Sequence, residues 1–145
     1  MALGGPDERL RTVLTWIQND LFDAGADLAT PIVEHPEHPP LRITEAYVER
    51  LEKWCDDYNE PLPALNSFVL PGGTGLSALL HVARTVTRRA ERSAWIAVNA
   101  HPDTVSPLPA RYLNRLSDLC WTLARWAEAE AGSGSLPSRG GAAGR

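Results

Sequence analysis

Cysteine is scarce in this chain of 145 residues: only Cys55 and Cys120 occur, and they lie far apart. They lack the close spacing of a metal site, so we expect free thiols in a reducing compartment, most simply the cytoplasm. Long apolar runs are also missing, since no stretch approaches the ~20 residues that span a bilayer. Residues 1–5 show no basic segment followed by an apolar one, so no signal peptide is predicted.

Positive charge is not in excess either. The chain has 14 Lys and Arg against 18 Asp and Glu, which gives a net charge of −4 and a pI near 5.5. This balance argues against a protein that binds nucleic acid through bulk charge, and any anion site must be a local basic cluster. Hydrophobic residues make up 43% of the chain, which predicts one compact globular domain.

The first half of the chain predicts two helices. The first runs from Pro6 to about Thr30, because Pro6 suits a first helical turn and Pro31 cannot continue a helix. Its apolar residues recur at helical spacing: Leu10, Val13, Leu14, Ile17, Leu21, Ala24 and Leu28. After a proline-rich loop at 31–40, the second helix is expected to follow Thr44 as its N-cap and to stop before Pro61. One face of it carries Val48, Leu51, Cys55 and Tyr58.

The second half predicts two more helices. A turn signal over residues 70–73 precedes a long helix from about Thr74 to Val98. That helix is built on five apolar residues: Leu79, Val82, Ala83, Val86 and Ala90. The last helix covers about Ala110 to Ala131, with Leu113, Leu116, Cys120, Leu123 and Ala127 facing inward. We therefore predict an all-α helical bundle over residues 1–131 and a disordered Gly/Ser-rich tail over 132–145.

A polar stripe follows the third predicted helix at steps of three or four residues: Ser77, His81, Arg84, Arg88, Glu91 and Trp95. Arg84 and Arg88, one turn apart, could clamp an oligophosphate, because guanidinium groups match phosphate oxygens and stay charged. The alternative is a solvated face with local Arg–Glu pairs. Spacing alone favours that alternative.

The fourth predicted helix carries a similar stripe of Asn114, Asp118, Trp121 and Arg125. Asn114 could hydrogen-bond a ligand, and Asp118 could pair with an arginine of the third helix. The alternative is a surface stripe with one tryptophan that packs between helices. Periodicity slightly favours this alternative.

Two weaker motifs remain. His35 and His38 could bind a metal, but a proline-rich loop seldom holds ligands rigidly, and the repeated Glu-x-x-His pattern of di-iron bundles is absent. Gly72-Gly73-Thr74-Gly75 opens a helix and could cradle an anion, yet it lacks the Gly-Lys-Ser/Thr ending of a P-loop. We predict no resident metal site.

Four blocks of sequence, in this order, resemble a known family. They are Ile17-Gln18-Asn19-Asp20-Leu21-Phe22-Asp23-Ala24-Gly25-Ala26-Asp27-Leu28-Ala29, Phe68-Val69-Leu70-Pro71-Gly72-Gly73, Leu80-His81-Val82-Ala83-Arg84-Thr85-Val86-Thr87-Arg88-Arg89-Ala90-Glu91-Arg92 and Tyr112-Leu113-Asn114-Arg115-Leu116-Ser117-Asp118. Across roughly residues 10–127 their spacing is similar to that of the PduO-type ATP:cob(I)alamin adenosyltransferases. This resemblance favours the functional interpretation of both polar stripes.

The resemblance implies a helical bundle of the cobalamin adenosyltransferase type, with four of the family's five helices present in this chain. It also implies a homotrimer whose active sites lie between subunits. The implied reaction transfers the 5′-deoxyadenosyl group of ATP to the cobalt of reduced cobalamin, giving adenosylcobalamin and triphosphate, with magnesium required. Nucleic acid and membrane are not expected partners.

The resemblance also implies roles for four residues at the ATP site. Arg88 matches an arginine that we expect to contact the triphosphate and to be catalytic. Arg84 matches one that forms a salt bridge at the subunit interface. Glu91 matches an acid that orients ATP or a neighbouring arginine, and Asn114 matches the asparagine that hydrogen-bonds the nucleotide.

Two aromatic residues match the corrinoid side of the family's site. Phe68 matches a catalytic aromatic residue that packs under the corrin and displaces the lower axial ligand of cob(II)alamin, which eases reduction to the cob(I) nucleophile. Trp121 stands where the family usually carries phenylalanine, and we expect its larger ring to form a wall of the corrin pocket.

The chain departs from the family pattern at both ends, and at the C-terminal end a Gly/Ser-rich tail replaces the segment that the family folds near the corrin. The family's Thr/Gly-rich segment, which wraps the ATP phosphates, and its first helix do not occur, so we expect Arg84 to lack its acidic partner. One hypothesis is an active adenosyltransferase whose recorded start at Met1 is too late. Another is a catalytically silent bundle that binds corrinoid or a full-length homologue as a structural partner. A third, nucleic-acid binding through the arginines of the third helix, is disfavoured by net charge.

Overall fold

The computed structural model describes residues 7–132, which form four helices. These are α1 (Glu8–Ala29), α2 (Glu45–Asn59), α3 (Gly75–Ala100) and α4 (Leu108–Glu130). The predicted all-α bundle is confirmed, and the helix boundaries differ from the expected ones by about two residues at most. The tail expected over 132–145 lies, beyond Gly132, outside the described residues. None of the helices within residues 7–132 combines the length and apolarity that a bilayer-spanning segment requires.

Side-chain caps fix the start of two helices. The Asp7 carboxylate accepts a hydrogen bond of 2.7 Å from the backbone N–H of Leu10 and so caps α1. The Thr74 hydroxyl accepts one of 3.0 Å from Ser77 N–H at the start of α3. Thr44 occupies the predicted N-cap position of α2, but its side chain makes no capping hydrogen bond. Both capped ends lie where the sequence changes from loop to helical spacing.

Helix α4 is the centre of the bundle. It packs against α3 on one side and α2 on the other, with a smaller contact to α1. All five residues predicted to face inward from α4 are buried: Leu113, Leu116, Cys120, Leu123 and Ala127. Four of them, all but Leu113, join a core to which α1 and α2 contribute Leu10, Val13, Ile17, Val48, Leu51 and Tyr58. Leu113 packs with Ala94 and Ala110 in a second, smaller cluster. Each fully buried leucine of this kind contributes about 1.5–3 kcal/mol to folding.

The apolar residues on which α3 is predicted to be built do not face the bundle, so this prediction is wrong. Its five apolar residues are all exposed: Leu79, Val82, Ala83, Val86 and Ala90. The buried residues of α3 are Ser77, Leu80, His81, Thr87 and Ala94. The reason is that α4 packs against the neighbouring stripe. Most of the polar stripe, though not Arg88, is therefore turned inward, and the apolar stripe faces away from the bundle. The interface between α3 and α4 is therefore rich in polar side chains.

Candidate active site

The middle of the α3–α4 interface joins two of the predicted site residues. The Asn114 amide on α4 donates a hydrogen bond of 2.9 Å to the Glu91 carboxylate on α3. Its carbonyl oxygen accepts one of 3.2 Å from Arg115 on the same helix. Both Asn114 and Glu91 are half-buried. The two residues expected to contact the nucleotide thus form one polar pair with a fixed amide orientation.

A second group of site side chains surrounds Arg84, which is half-buried. Its Nε donates to Nδ1 of His81 at 3.4 Å, and its guanidinium carbon lies 5.7 Å from the centre of the Trp121 ring. The His81 and Trp121 rings meet edge to face, with 5.6 Å between centroids. Such cation–π and aromatic contacts stabilise a fixed arrangement of the three side chains. No carboxylate among residues 7–132 forms a salt bridge with Arg84.

Arg88 and Phe68 lie apart from these groups. Arg88, one turn beyond Arg84 on α3, is exposed, and no side chain within residues 7–132 pairs with it. Phe68 lies in the segment between α2 and α3 and is 86% exposed. Both side chains are thus accessible to a ligand. The structure brings Arg84 together with Trp121 and Glu91 together with Asn114, but it brings neither Arg88 nor Phe68 into contact with them.

Asp118 does not have the partner that its spacing suggested. Its carboxylate lies 3.6 Å from Arg115 on its own helix, rather than beside an arginine of α3. The reason is that Asp118 is exposed on the side of α4 that carries Arg115. Arg115 also donates a hydrogen bond of 2.8 Å to Glu52 of α2, so this side of α4 is directed toward α2 and not toward α3. The expectation that Asp118 pairs with an α3 arginine is therefore wrong.

The two weaker motifs, the His35 and His38 pair and the glycine-rich turn at 72–75, lie in the loop before α2 and at the start of α3 respectively. His35 and His38 are exposed in the loop between α1 and α2. Within residues 7–132, no group of three or more His, Cys, Asp or Glu side chains is arranged to hold a metal ion. Gly73 adopts a φ of 113°, a conformation that favours glycine, and so forms the turn before Thr74 caps α3. That turn is the one signalled by the sequence.

The cysteines are both unpaired. Cys55 lies 3.3 Å from the Thr122 hydroxyl, and Cys120 is buried. Burial raises the pKa of the Cys120 thiol to about 11. A thiol that resists ionisation is a poor nucleophile, so Cys120 serves the core rather than chemistry.

Sequence reasoning missed a buried ionic network between α1, α2 and α4. Asp20, 2% exposed, accepts hydrogen bonds of 2.6 and 2.7 Å from Arg50 and one of 2.9 Å from the Tyr112 hydroxyl. Arg50 also lies against aromatic rings, with its guanidinium carbon 4.7 Å from the centre of Trp16 and 5.2 Å from that of Tyr47. Burial and the adjacent Asp20 raise the pKa of Tyr112 far above its ordinary value. An available signal was that Asp20 continues the buried spacing of α1 three residues after Ile17.

His81 gives the α3–α4 interface a pH dependence. Burial lowers the pKa of His81, and the adjacent Arg84 lowers it further, while Glu128 opposes the shift. Because the pKa in the folded state lies below the ordinary 6.5, the unfolded chain binds the proton more readily. Stability is therefore lost as the pH falls below that value.

We expect the free energy of unfolding to decrease between about pH 7.5 and about pH 5.5, and to decrease less in His81→Gln. Glutamine keeps a hydrogen-bond acceptor near Arg84 but cannot be protonated. Urea unfolding at each pH measures the slope, with His101→Gln at an exposed position as the matched control. A wild-type slope in both variants would contradict the role given to His81.

Comparison with known proteins shows which protein family the chain is similar to. The model of the cobalamin adenosyltransferase family matches residues 1–127. The corrinoid adenosyltransferase of Mycobacterium tuberculosis is 72% identical over 125 residues, which cover 86% of this chain and 65% of that protein. The corrinoid adenosyltransferase of Bacillus subtilis is 40% identical over 129 residues, covering 89% of this chain and 64% of its own length. The chain thus spans slightly less than two thirds of either relative.

Solved structures give the same result. A phenylalanine-to-alanine variant of the PduO-type ATP:corrinoid adenosyltransferase from Lactobacillus reuteri, complexed with cobalamin and ATP, matches with a TM-score of 0.80 and 37% identity. The match covers 91% of this chain and 71% of that one. An arginine-to-lysine variant complexed with ATP matches with a TM-score of 0.78 at the same identity, over 91% of this chain and 72% of the other.

Proposed function

Because this chain belongs to the cobalamin adenosyltransferase family, we propose that it transfers the 5′-deoxyadenosyl group of ATP to the cobalt of reduced cobalamin. One observation carries the proposal: Arg84, assigned to the ATP side, lies against Trp121, assigned to the corrinoid side, at 5.7 Å. A transfer between two substrates needs both to meet in one place. In this proposal the α3–α4 interface of one subunit would form one side of that place.

In the proposed reaction the cob(I)alamin cobalt supplies an electron pair to C5′ of ATP. A Co–C bond forms, the C5′–O bond breaks, and triphosphate leaves with the bonding pair. Since the nucleophile arrives with the substrate, the protein contributes position and charge. Arg88 would neutralise the leaving triphosphate, while the Glu91–Asn114 pair would orient the nucleotide. Phe68 and Trp121 would contact the corrinoid.

In the proposed reaction, magnesium would bind together with the nucleotide. The ion usually binds through substrate phosphates, several waters and one or two carboxylates. Within residues 7–132, no cluster of three or more His, Cys, Asp or Glu side chains could enclose it. The described residues therefore do not form a magnesium cage.

We propose further that the chain acts as a homotrimer in the cytoplasm, with sites between subunits. The exposed apolar side chains of α3 support the assembly, since Leu79, Val82 and Val86 are respectively 69%, 58% and 46% exposed. Such a contiguous apolar surface is typical of a protein interface. The two unpaired thiols are consistent with a reducing compartment. Sedimentation equilibrium measures the mass of the assembly directly.

The experiment that tests the reaction is an anaerobic assay with reduced cobalamin, ATP and magnesium, followed by the change in visible absorbance. We expect adenosylcobalamin to form only when protein, ATP and reductant are all present. Binding of cobalamin without turnover would contradict the proposed enzyme and favour the silent structural bundle instead.

A further inference from the structure

Two charged side chains are buried near the C-terminal end of α4. Arg125 is 9% exposed and Glu128, one turn further along the helix, is 2% exposed. Removing a charge from water costs free energy unless hydrogen bonds or an opposite charge compensate. The contacts that compensate for this cost therefore show which parts of the chain the two side chains hold in place. Neither residue is assigned a contact with a substrate in the site described above.

Arg125 holds the beginning of the segment between α2 and α3. Its Nη2 donates a hydrogen bond of 2.7 Å to the backbone carbonyl of Pro63. A guanidinium donor to a neutral carbonyl forms a charge-assisted hydrogen bond, which is stronger than a neutral one. The contact ties α4 to a position 62 residues earlier in the chain.

Glu128 holds the other end of the same segment. Its Oε1 accepts a hydrogen bond of 2.9 Å from the Ser77 hydroxyl, which also lies 3.2 Å from the backbone carbonyl of Gly72. A Cβ at Gly73 would lie 3.0 Å from the same carboxylate oxygen, so the turn packs directly onto Glu128. The carboxylate thus fixes the turn that leads into α3.

Phe68 lies between these two anchors. Its ring is exposed, and so are the side chains of Leu65 and Leu70 on either side. The side chains of Leu65, Phe68 and Leu70 therefore do little to fix this stretch. Val69 is half-buried and makes one β-bridge, and beyond that contact the position of the stretch depends on how its two ends are held. We infer that Arg125 and Glu128 are positioning residues which, by holding both ends of the 63–73 segment, place Phe68 against the corrinoid. The inference rests on the proposed function.

Chymotrypsin tests the anchoring without requiring turnover. The chain has two phenylalanines: Phe68 in the segment and Phe22, which is also exposed but lies within α1. Cleavage after Phe22 requires α1 to unfold, whereas cleavage after Phe68 reports local opening of the segment. In Glu128→Ala and Arg125→Ala we expect the rate at Phe68, divided by that at Phe22, to rise roughly 5- to 10-fold.

Matched variants sharpen this test. Glu128→Gln keeps an oxygen that accepts from Ser77 and should restore most of the protection, whereas Glu130→Ala removes an exposed carboxylate from the same helix end and should change nothing. Equal acceleration at both phenylalanines would mean that the variants only destabilise the bundle. That result, or an unchanged ratio in both alanine variants, would overturn the inference.

Steady-state kinetics test the link to Phe68. We expect Glu128→Ala to raise the KM for cobalamin roughly 10-fold while leaving the KM for ATP within about twofold, since only one substrate meets the segment. In a Phe68→Ala background the Glu128→Ala change should add little, because both act through one side chain. Fully multiplicative effects in the double variant would overturn the positioning role. If the unmodified chain transfers no adenosyl group, the proposed function fails, whereas an unaltered cobalamin KM in an active Glu128→Ala variant defeats this inference alone.

Discussion

Replacing Arg88 by alanine is expected to lower kcat/KM for ATP roughly 100- to 1000-fold, the loss that follows removal of one charged or hydrogen-bonding group from a transition state. The effect should be functional and not structural. Arg88 is exposed and has no side-chain partner within residues 7–132, so its removal leaves no buried group unpaired. The melting temperature should stay within about 1 °C of the wild type, since isolated surface changes stay near zero.

Two further variants isolate the charge of Arg88 from its geometry. Arg88→Lys keeps the charge but loses the planar fork, and we expect an intermediate loss of roughly 10-fold. Lys53→Ala removes an exposed cation from α2, where it pairs with Asp57 at 2.9 Å, and should leave kcat/KM unchanged. A wild-type kcat/KM in Arg88→Ala would show that the triphosphate is neutralised elsewhere.

Replacing Asp20 by alanine is expected to give the largest loss of stability, about 3 kcal/mol. Breaking a buried ion pair by removing one partner costs about 3–5 kcal/mol, and the lower end applies here because the Arg50 side chain retains 27% exposure. The substitution leaves the Tyr112 hydroxyl buried without its acceptor, in addition to the lost contact with Arg50. Urea unfolding followed by helical circular dichroism measures the change.

Asp57→Ala is the matched control for Asp20. Asp57 pairs with Lys53 at 2.9 Å and with Arg9 at 3.6 Å near the protein surface. Exposed pairs of this kind contribute about 0–1 kcal/mol, so the control should differ little from the wild type. If the two aspartate variants lost equal stability, the network around Asp20 would not be the internal tie that its geometry indicates.

The helices could be predicted from local signals. Pro31 and Pro61 end the first two helices, because proline cannot continue the hydrogen-bonded backbone. Asp7 and Thr74 supply capping oxygens at the start of α1 and α3. Five inward residues of α4 also followed from spacing, but the helix is buried on other sides as well, for example at Arg125 and Glu128, which spacing did not indicate.

The face of α3 could not be predicted in this way. Periodicity shows that a helix has an apolar stripe, but it does not show which stripe meets a neighbour. In α3 the residues that meet α4 include Ser77 and His81, and their burial depends on partners such as Glu128, 51 residues away from Ser77. The pairing of Asp20 with Arg50 spans 30 residues and is equally invisible to local spacing.

The candidate site shows the same division. Arg84, Glu91, Asn114 and Trp121 were found from the polar stripes of α3 and α4. The structure pairs Glu91 with Asn114 and Arg84 with Trp121. Spacing offered a phosphate contact for Arg88 only as one alternative, and the role of Phe68 came from resemblance alone. Both roles stay predictions, because both side chains are exposed and bind nothing in the described residues. The anchors Arg125 and Glu128 required the tertiary structure.

The most direct test of adenosyl transfer uses ATP that carries an isotopic label at C5′. After anaerobic reaction with reduced cobalamin, mass spectrometry locates the label and a separate assay measures released triphosphate. We predict the label on the corrinoid and one triphosphate for each corrinoid modified. Release of ADP or phosphate, with no label on the corrinoid, would contradict the account.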